Sequence, residues 1–446
     1  MHSSSQQHEI PTIPTMLVSL TDTTTGGTPP SVNLVGGKAA SLAKLYSTPG
    51  LSQHVPKSFA LTVDFFRPWI DTITTTKEFR EARDVIESDG DASDAIEKCN
   101  LLKNLCHTIP FSFEQRTIIT QLQSEMKSLP IGLAAVRSSA PEEDGTGASF
   151  AGAFETKLGV TADTLEDAAR SCFSSMFDYR VFSYTSARTD TDTHSDASHG
   201  SLAFAAVVME MIDSHIAGVA FSANPLNSDR DEMVVDSSWG LGESVVDGSI
   251  QADRYVYCKV NDKVIDTAIG KKTEEKRLNT NNGGVDTLPI EDERQMVTSL
   301  TDAQLKALAR LVGLVEKTYG MPMDVEWAFV TANADGSRQL ELKFLQARPI
   351  TALFHLDENM MTKPGERRIL YYDFNIASEA TTTSPFTHMD ITLYSKMAGA
   401  MFGIEDWSMF PCNPRMPMFN ASTRQYCNMS IVFKFISPGK RNCFLS

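Results

Sequence analysis

The stretch "DVEWAFVTANADGSRQLELKFLQARPI", residues 324–350, alternates apolar and polar side chains on both sides of Asp335-Gly336. An Asp-Gly pair tolerates the positive backbone angles of a tight hairpin turn, so two antiparallel strands are expected here. On the first strand Val325, Trp327 and Phe329 share one face, and Asp324 and Glu326 share the other. On the second, Leu340, Leu342, Phe344, Gln346 and Arg348 fall in one row. A two-residue turn pairs Glu326 with Leu345; one extra loop residue or a bulge pairs it with Gln346. The sequence leaves both registers open. Glu326 leads the polar face of a strand whose other face is apolar. Near Gln346 and Arg348, such a carboxylate suits a Mg²⁺ that bridges phosphates, because Mg²⁺ takes one or two carboxylates plus substrate oxygens. The competing reading is a solvated strand face.

Upstream, the segment from Thr301 reads as a helix. Thr301 and Gln304 form a capping-box pattern, Leu305, Leu308, Val312, Val315 and Tyr319 follow at helical spacing, and Gly320 ends it. Residues 204–212, 217–224 and 232–239 are short apolar or β-branched runs separated by turn residues, and read as strands. Strands and helices thus come in blocks rather than in regular alternation. That pattern predicts an α+β fold.

Further towards the N-terminus, "AVRSSAPEEDGTGASFAGAFET", residues 135–156, ends a buried strand on Arg137 and continues into a small-residue loop containing Gly145, Gly147 and Gly152. The fork of Arg137 suits a phosphate or a carboxylate, and bare glycine backbone can fold over phosphate oxygens. A structural pair of Arg137 with Glu143 or Asp144 is the plainer alternative. "NLVGGKAASL", residues 33–42, sets Gly36, Gly37 and Lys38 at a helix start, where unpaired N–H groups and a lysine favour an anion. It is not a Walker A loop, because Val32 and Ala39 occupy positions that motif reserves for Gly and Ser/Thr. An ordinary loop-to-helix turn explains it equally. In "SSWGLGESVVDG", residues 237–248, a strand-to-helix turn accounts for Gly240 and Gly242.

At 446 residues, with 41% apolar and 22% charged residues, the chain is long enough for two or three domains. A net charge of −16 disfavours a nucleic-acid binder. Seven scattered cysteines with no Cys-x-x-Cys point away from disulfides and structural zinc, and towards a reducing, cytoplasmic compartment. No run of 18 apolar residues is present, so no membrane span or membrane partner is expected. None of the nine histidines forms a convincing site. Residues 1–31 and 186–201, polar and rich in Ser, Thr and Gly or Asp, read as a disordered tail and an exposed loop.

Taken in order, "LVGGKAASLAKL", "VPKSFALT", "AVRSSAPEEDGTGASFAGAFET", "AGVAFSANP", "DSSWGLGESVVDGSIQADRY", "DVEWAF" and "LQARPIT" resemble the ATP-grasp nucleotide-binding module of the pyruvate, phosphate dikinase family. That family includes phosphoenolpyruvate synthase and rifampicin phosphotransferase. The resemblance implies a two-lobed ATP-grasp fold with ATP between the lobes: a tail 1–31, an N-terminal lobe 32–200, a C-terminal lobe 201–351, and a segment 352–446 that is a connector or the truncated start of an acceptor domain. It implies ATP and Mg²⁺ as cofactors. Position by position, Lys38 and Arg137 correspond to phosphate-contacting cations, and Gly152 and Thr156 to the closing loop. Glu326 corresponds to the Mg²⁺ ligand, with Gln346 and Arg348 beside the triphosphate.

Two departures stand out. Met209 in "VVMEMI" occupies the place near the base where the family usually has glutamine. The histidine that receives the phosphoryl group in the family has no counterpart here. The implied function is therefore the ATP-binding module of a dikinase-type phosphotransferase, serving a phosphohistidine domain that is downstream or on another chain. The final acceptor would be pyruvate, water or a small-molecule hydroxyl. The rival reading is a non-catalytic ATP-binding sensor.

Overall fold

The computed structural model describes residues 15–21, 29–88, 91–141, 154–188, 202–332 and 339–351 of a first unit, Met1–Ala352, and short stretches (353, 360, 369–373, 418–421 and 424–431) of a second, Leu353–Ser446. The architecture is α+β, as the block pattern predicts, with antiparallel sheets and mixed helices.

In the first unit, strands β1 (Leu17–Ser19), β2 (Ser58–Leu61), β3 (Ala134–Ser138), β4 (Thr156–Val160) and β5 (Ala206–Glu210) form one sheet in the order β1-β2-β5-β3-β4. β1 falls within the stretch expected to be disordered, and pairs antiparallel with β2. The second sheet holds β6 (Ile216–Phe221), β7 (Glu232–Trp239), β8 (Asp253–Cys258) and β9 (Lys263–Ala268). After the hairpin β10 (Glu274–Leu278) and β11 (Val285–Pro289), it is completed by β12 (Met323–Ala332) and β13 (Gln339–Pro349), in the order β13-β12-β6-β7-β8-β9. The chain passes from the first sheet to the second between Glu210 and Ile216.

The helices are α1 (Val32–Ser47), α2 (Val63–Thr74), α3 (Lys77–Glu87), α4 (Ala92–Thr108), α5 (Phe113–Lys127), α6 (Leu165–Ser174), α7 (Tyr179–Arg188), the short α8 (Glu243–Val246) and α9 (Asp292–Gln295), and α10 (Asp302–Tyr319). Of the loop expected at 186–201, residues 189–201 lie outside the described residues, and α7 runs to Arg188. Two cores divide the unit. One packs the aromatic rings of Phe65, Phe66, Trp69, Phe173 and Phe204 against Val136 and Val208, which line one face of the first sheet. The other joins Ala135 and Met209 of the opposite face to Leu42 and Leu45 of α1, to Val325, Trp327 and Phe329, and to Leu305, Leu308, Val312 and Val315 of α10. The period-2 alternation along β3 and β5 therefore sends neighbouring residues into different cores.

α10 carries the expected capping box at Thr301 and Gln304 and ends on Gly320 in the left-handed conformation. The hairpin β12–β13 forms as the sequence indicates, but its register changes along its length. From Ala332↔Gln339 to Trp327↔Phe344 the pairing is that of a two-residue turn; a bulge then leaves Leu345 over, and Glu326 faces Gln346. The single row expected for β13 is corrected accordingly. Phe344 pairs with Trp327 in the core, while Gln346 and Arg348 pair with Glu326 and Asp324 on the opposite face. A bulge inserts one unpaired residue and turns the following side chains over, which a strict alternation cannot anticipate.

In the second unit, Tyr371–Asp373, Met418–Ala421 and Arg424–Asn428 make a three-stranded antiparallel sheet with the last of these in the centre. Among the described residues, no helix is long and apolar enough to cross a membrane.

Candidate functional site

The site begins at a kink in α1. Gly36 interrupts the helix with φ of 78°, and a Cβ there would lie 1.4 Å from the carbonyl oxygen of Ser139. Only glycine allows both the left-handed angle and this approach. The approach is used. Ser139 Oγ accepts the Ala39 N–H at 3.0 Å and donates to the Val35 carbonyl at 2.9 Å, capping the helix where it restarts. Gly37 N–H bonds the Ala140 carbonyl at 3.3 Å. Lys38 is thereby fixed at the end of β3, its Nζ 3.4 Å from Ser138 Oγ.

Arg137 precedes Ser138 on β3 and reaches across to the second sheet. Its Nη2 donates to Glu326 Oε2 and to Gln346 Oε1, each at 2.7 Å, and its Nη1 to the Leu345 carbonyl at 3.2 Å. Leu345 is the residue the bulge leaves out of the register, so that backbone oxygen is turned towards the guanidinium. Arg137 Nε is buried and has no hydrogen-bond partner. A buried donor left unmade costs about 1–3 kcal/mol, and such a group in a native fold marks a place where a partner is expected. Arg348 extends the row: its Nε holds Asp324 Oδ2 at 2.9 Å.

Burial alone would raise the Glu326 carboxyl, but the charge and hydrogen bond of Arg137, followed by the charges of Arg348 and Lys38, hold it below its usual range. With 13% and 17% of their side chains exposed, Arg137 and Glu326 interact with little screening by solvent. Three cations far apart in sequence thus act on one carboxylate.

Beside this cluster lies a cavity of about 180 Å³, lined among others by Ala135, Arg137, Thr156, Met209, Leu241 and Glu326. One face of the first sheet makes much of its wall: Thr156 sits opposite Arg137, and Met209 opposite Ala135. Lys38, Gln346 and Arg348 belong to the charged cluster and are not on the cavity wall. Met209 is 3% exposed. Gly152 lies outside the described residues. Of the candidates read from sequence, the fold therefore brings together Lys38, Arg137, Thr156, Met209, Glu326, Gln346 and Arg348. Sequence reasoning missed Ser139, the carbonyl of Leu345 and the anchoring role of Asp324. The serine pair after Arg137 was the available sign of the first; nothing local announces the second.

Among the described residues, no three His, Cys, Asp or Glu side chains gather as a metal cluster. A pair of oxygen donors of another kind is present. Glu326 Oε2 and Gln346 Oε1 converge on a single point, the Nη2 atom that each contacts at 2.7 Å. One carboxylate and one amide carbonyl, both hard oxygens converging on a cation, fit an ion that completes its shell with phosphate oxygens and water.

Residues 32–367 match the family model described as "Pyruvate phosphate dikinase, AMP/ATP-binding domain". The chain belongs to the pyruvate phosphate dikinase family. It is 33% identical over 328 residues to a probable phosphoenolpyruvate synthase of Methanocaldococcus jannaschii, covering 72% of this chain and 26% of that protein. To the phosphoenolpyruvate synthase of Deinococcus radiodurans it is 32% identical over 339 residues, covering 72% and 40%. A prodigiosin synthesizing transferase of Serratia marcescens is 32% identical over 336 residues, covering 74% of this chain and 33% of its own. The chain spans less than half the length of these relatives. The dikinase-family match covers the second sheet, every strand of the first except β1, and every site residue named above.

Proposed function

We propose that the first unit binds ATP between its two sheets and performs the first half of a dikinase-type phosphotransfer. The observation that carries this reading is the convergence of Lys38, Arg137 and Arg348 on Glu326 at the edge of an apolar cavity. Purine is flat and apolar on its faces, and the wall formed by Ala135, Leu158, Met209 and Leu241 suits it. The triphosphate then runs towards the cations. Arg137, with an unpartnered Nε, takes a phosphate oxygen; Lys38 and Arg348 neutralise further charge; Thr156, exposed opposite Arg137 on the cavity wall, adds a hydroxyl beside it.

Phosphoryl transfer asks a protein for alignment and charge neutralisation rather than covalent work. Glu326 and Gln346 would hold Mg²⁺, which when bound neutralises phosphate charge. The side chains themselves bind and orient the polyphosphate, and the apolar wall seats the purine. In this reading the β-phosphoryl group of ATP passes to a histidine on a downstream or separate domain; the bond to AMP breaks as the bond to histidine forms, and one water cleaves the β–γ bridge, so that AMP and phosphate leave. The group then goes on to pyruvate, water or a hydroxyl of a small molecule. The names of the relatives, phosphoenolpyruvate synthases and a prodigiosin synthesizing transferase, point to different products, which supports leaving more than one acceptor open.

Met209 favours a second reading. A thioether packs against a purine but cannot make the hydrogen bonds of an amide. A module that merely senses nucleotide tolerates that loss more readily than an enzyme. Incubation with β- and γ-labelled ATP and a separately made family histidine domain separates the two. Label on the histidine from the β position is expected; binding with neither transfer nor hydrolysis would establish the sensor instead.

A further inference from the structure

The geometry points to Arg137 and the divalent cation as competitors for the same two oxygens, so that the metal is admitted only when an anion draws the guanidinium away. The inference rests on the reading that Glu326 and Gln346 hold the metal. Nη2 lies 2.7 Å from Glu326 Oε2 and 2.7 Å from Gln346 Oε1, so it already occupies the point on which both oxygens converge. A metal held by the same pair needs that point, and a guanidinium and a dication cannot share it. Their like charges alone forbid it.

The arginine is held there by a third contact, Nη1 to the carbonyl of Leu345 at 3.2 Å, which the bulge in β13 supplies. Its Nε, buried and without a partner, remains for an incoming anion. A polyphosphate that engages Arg137 gives the guanidinium a competing partner and offers the metal further oxygens at the same time. Nucleotide and metal are then positively coupled through one side chain. By linkage each raises the affinity of the other by the same factor.

The test is Mn²⁺ binding to the whole chain, read from the spin-resonance signal of the free ion. Without nucleotide the wild type is expected to bind Mn²⁺ weakly, and Arg137→Met at least tenfold more tightly. In Arg137→Met/Glu326→Gln that gain is expected to disappear. With a non-hydrolysable ATP analogue present, Glu326→Gln is expected to weaken Mn²⁺ binding at least tenfold. If Arg137→Met binds Mn²⁺ no better than wild type while Glu326→Gln still weakens it with nucleotide, the competition is wrong and the metal assignment stands. If Glu326→Gln changes nothing with nucleotide, the metal assignment itself falls and takes the competition with it. Should the methionine variant fail to fold, Arg137→Gln serves. Its neutral, shorter amide cannot span all three acceptors and brings no like charge, and a threefold or greater gain is expected; no gain would overturn the proposal.

Discussion

Arg137 and Glu326, 189 residues apart in sequence, meet at 2.7 Å across the two sheets of the first unit. Each lies on a strand whose other contacts are fixed by its own sheet, so the pair reports directly on how the sheets are set. It is also where the proposed polyphosphate site is made.

Removing the guanidinium should therefore cost activity more than fold. Hydrogen bonds to charged groups contribute roughly 1.5–3 kcal/mol. Arg137→Ala is expected to lower transfer from ATP to the histidine domain about ten- to a hundredfold, by the same arithmetic of about 1.4 kcal/mol per decade. Glu326→Ala is expected to remove most turnover as well. Circular dichroism checks that each variant is folded; a folded variant with wild-type turnover would remove that residue from the site.

The kink in α1 gives a sharper structural test. At Gly36 an alanine meets the Ser139 carbonyl and a φ of 78°; at Gly132, φ is 73° and a Cβ meets nothing within 4 Å. Backbone strain alone is worth about 1–3 kcal/mol, and overpacking adds a comparable amount. Gly36→Ala should lower the thermal midpoint well beyond Gly132→Ala and also weaken ATP binding, because Lys38 is displaced. Equal midpoints in the two variants would show that the close approach at Gly36 carries no cost.

A buried ion pair far from the cluster predicts stability without function. Lys272 and Asp253 are fully buried, with Nζ 2.5 Å from Oδ1. The amides of Gly270 and Ser299 also donate to that carboxylate, at 3.0 and 2.7 Å. Cutting one partner leaves a charge uncompensated, at a cost of about 3–5 kcal/mol. Lys272→Met should show that loss in urea unfolding, and at temperatures where the variant remains folded its ATP affinity should stay within twofold of wild type.

Acid sensitivity should trace to Glu326. Its carboxyl is held below the usual value of 4.5, so folding gains stability that is fully present above that value and is lost as pH falls through the lower folded value. Glu326→Gln is expected to flatten that part of the acid limb of stability against pH, below about 4.5, leaving the region from pH 6 to 8 with its original slope. An unchanged acid limb in a folded variant would contradict the pairing with Arg137.

Much of this arrangement was legible in the sequence, for local reasons. The Thr301 capping box and the alternation in Val325, Trp327 and Phe329 each declare structure within a few residues, and the fold follows them; the expected turn at Asp335-Gly336 lies outside the described residues. What was not legible depends on distant partners. The bulge that sets Gln346 opposite Glu326 is stabilised by Arg137 reaching the freed Leu345 carbonyl, 208 residues away in sequence. The kink at Gly36 has meaning only against Ser139, whose hydroxyl recaps the helix. Alternation rules describe a strand by itself; they carry no record of the side chain that arrives from another sheet.

The most direct test is calorimetric titration of MgATP into the wild type and into Lys38→Ala, Arg137→Ala, Glu326→Gln and Arg348→Ala, with Lys343→Ala as a control outside the cluster. Measurable binding in the wild type is expected, weakened at least fivefold by each of the four cluster variants and unchanged within twofold in the control. Wild-type affinity in all four folded variants would contradict the assignment of this cluster to the nucleotide.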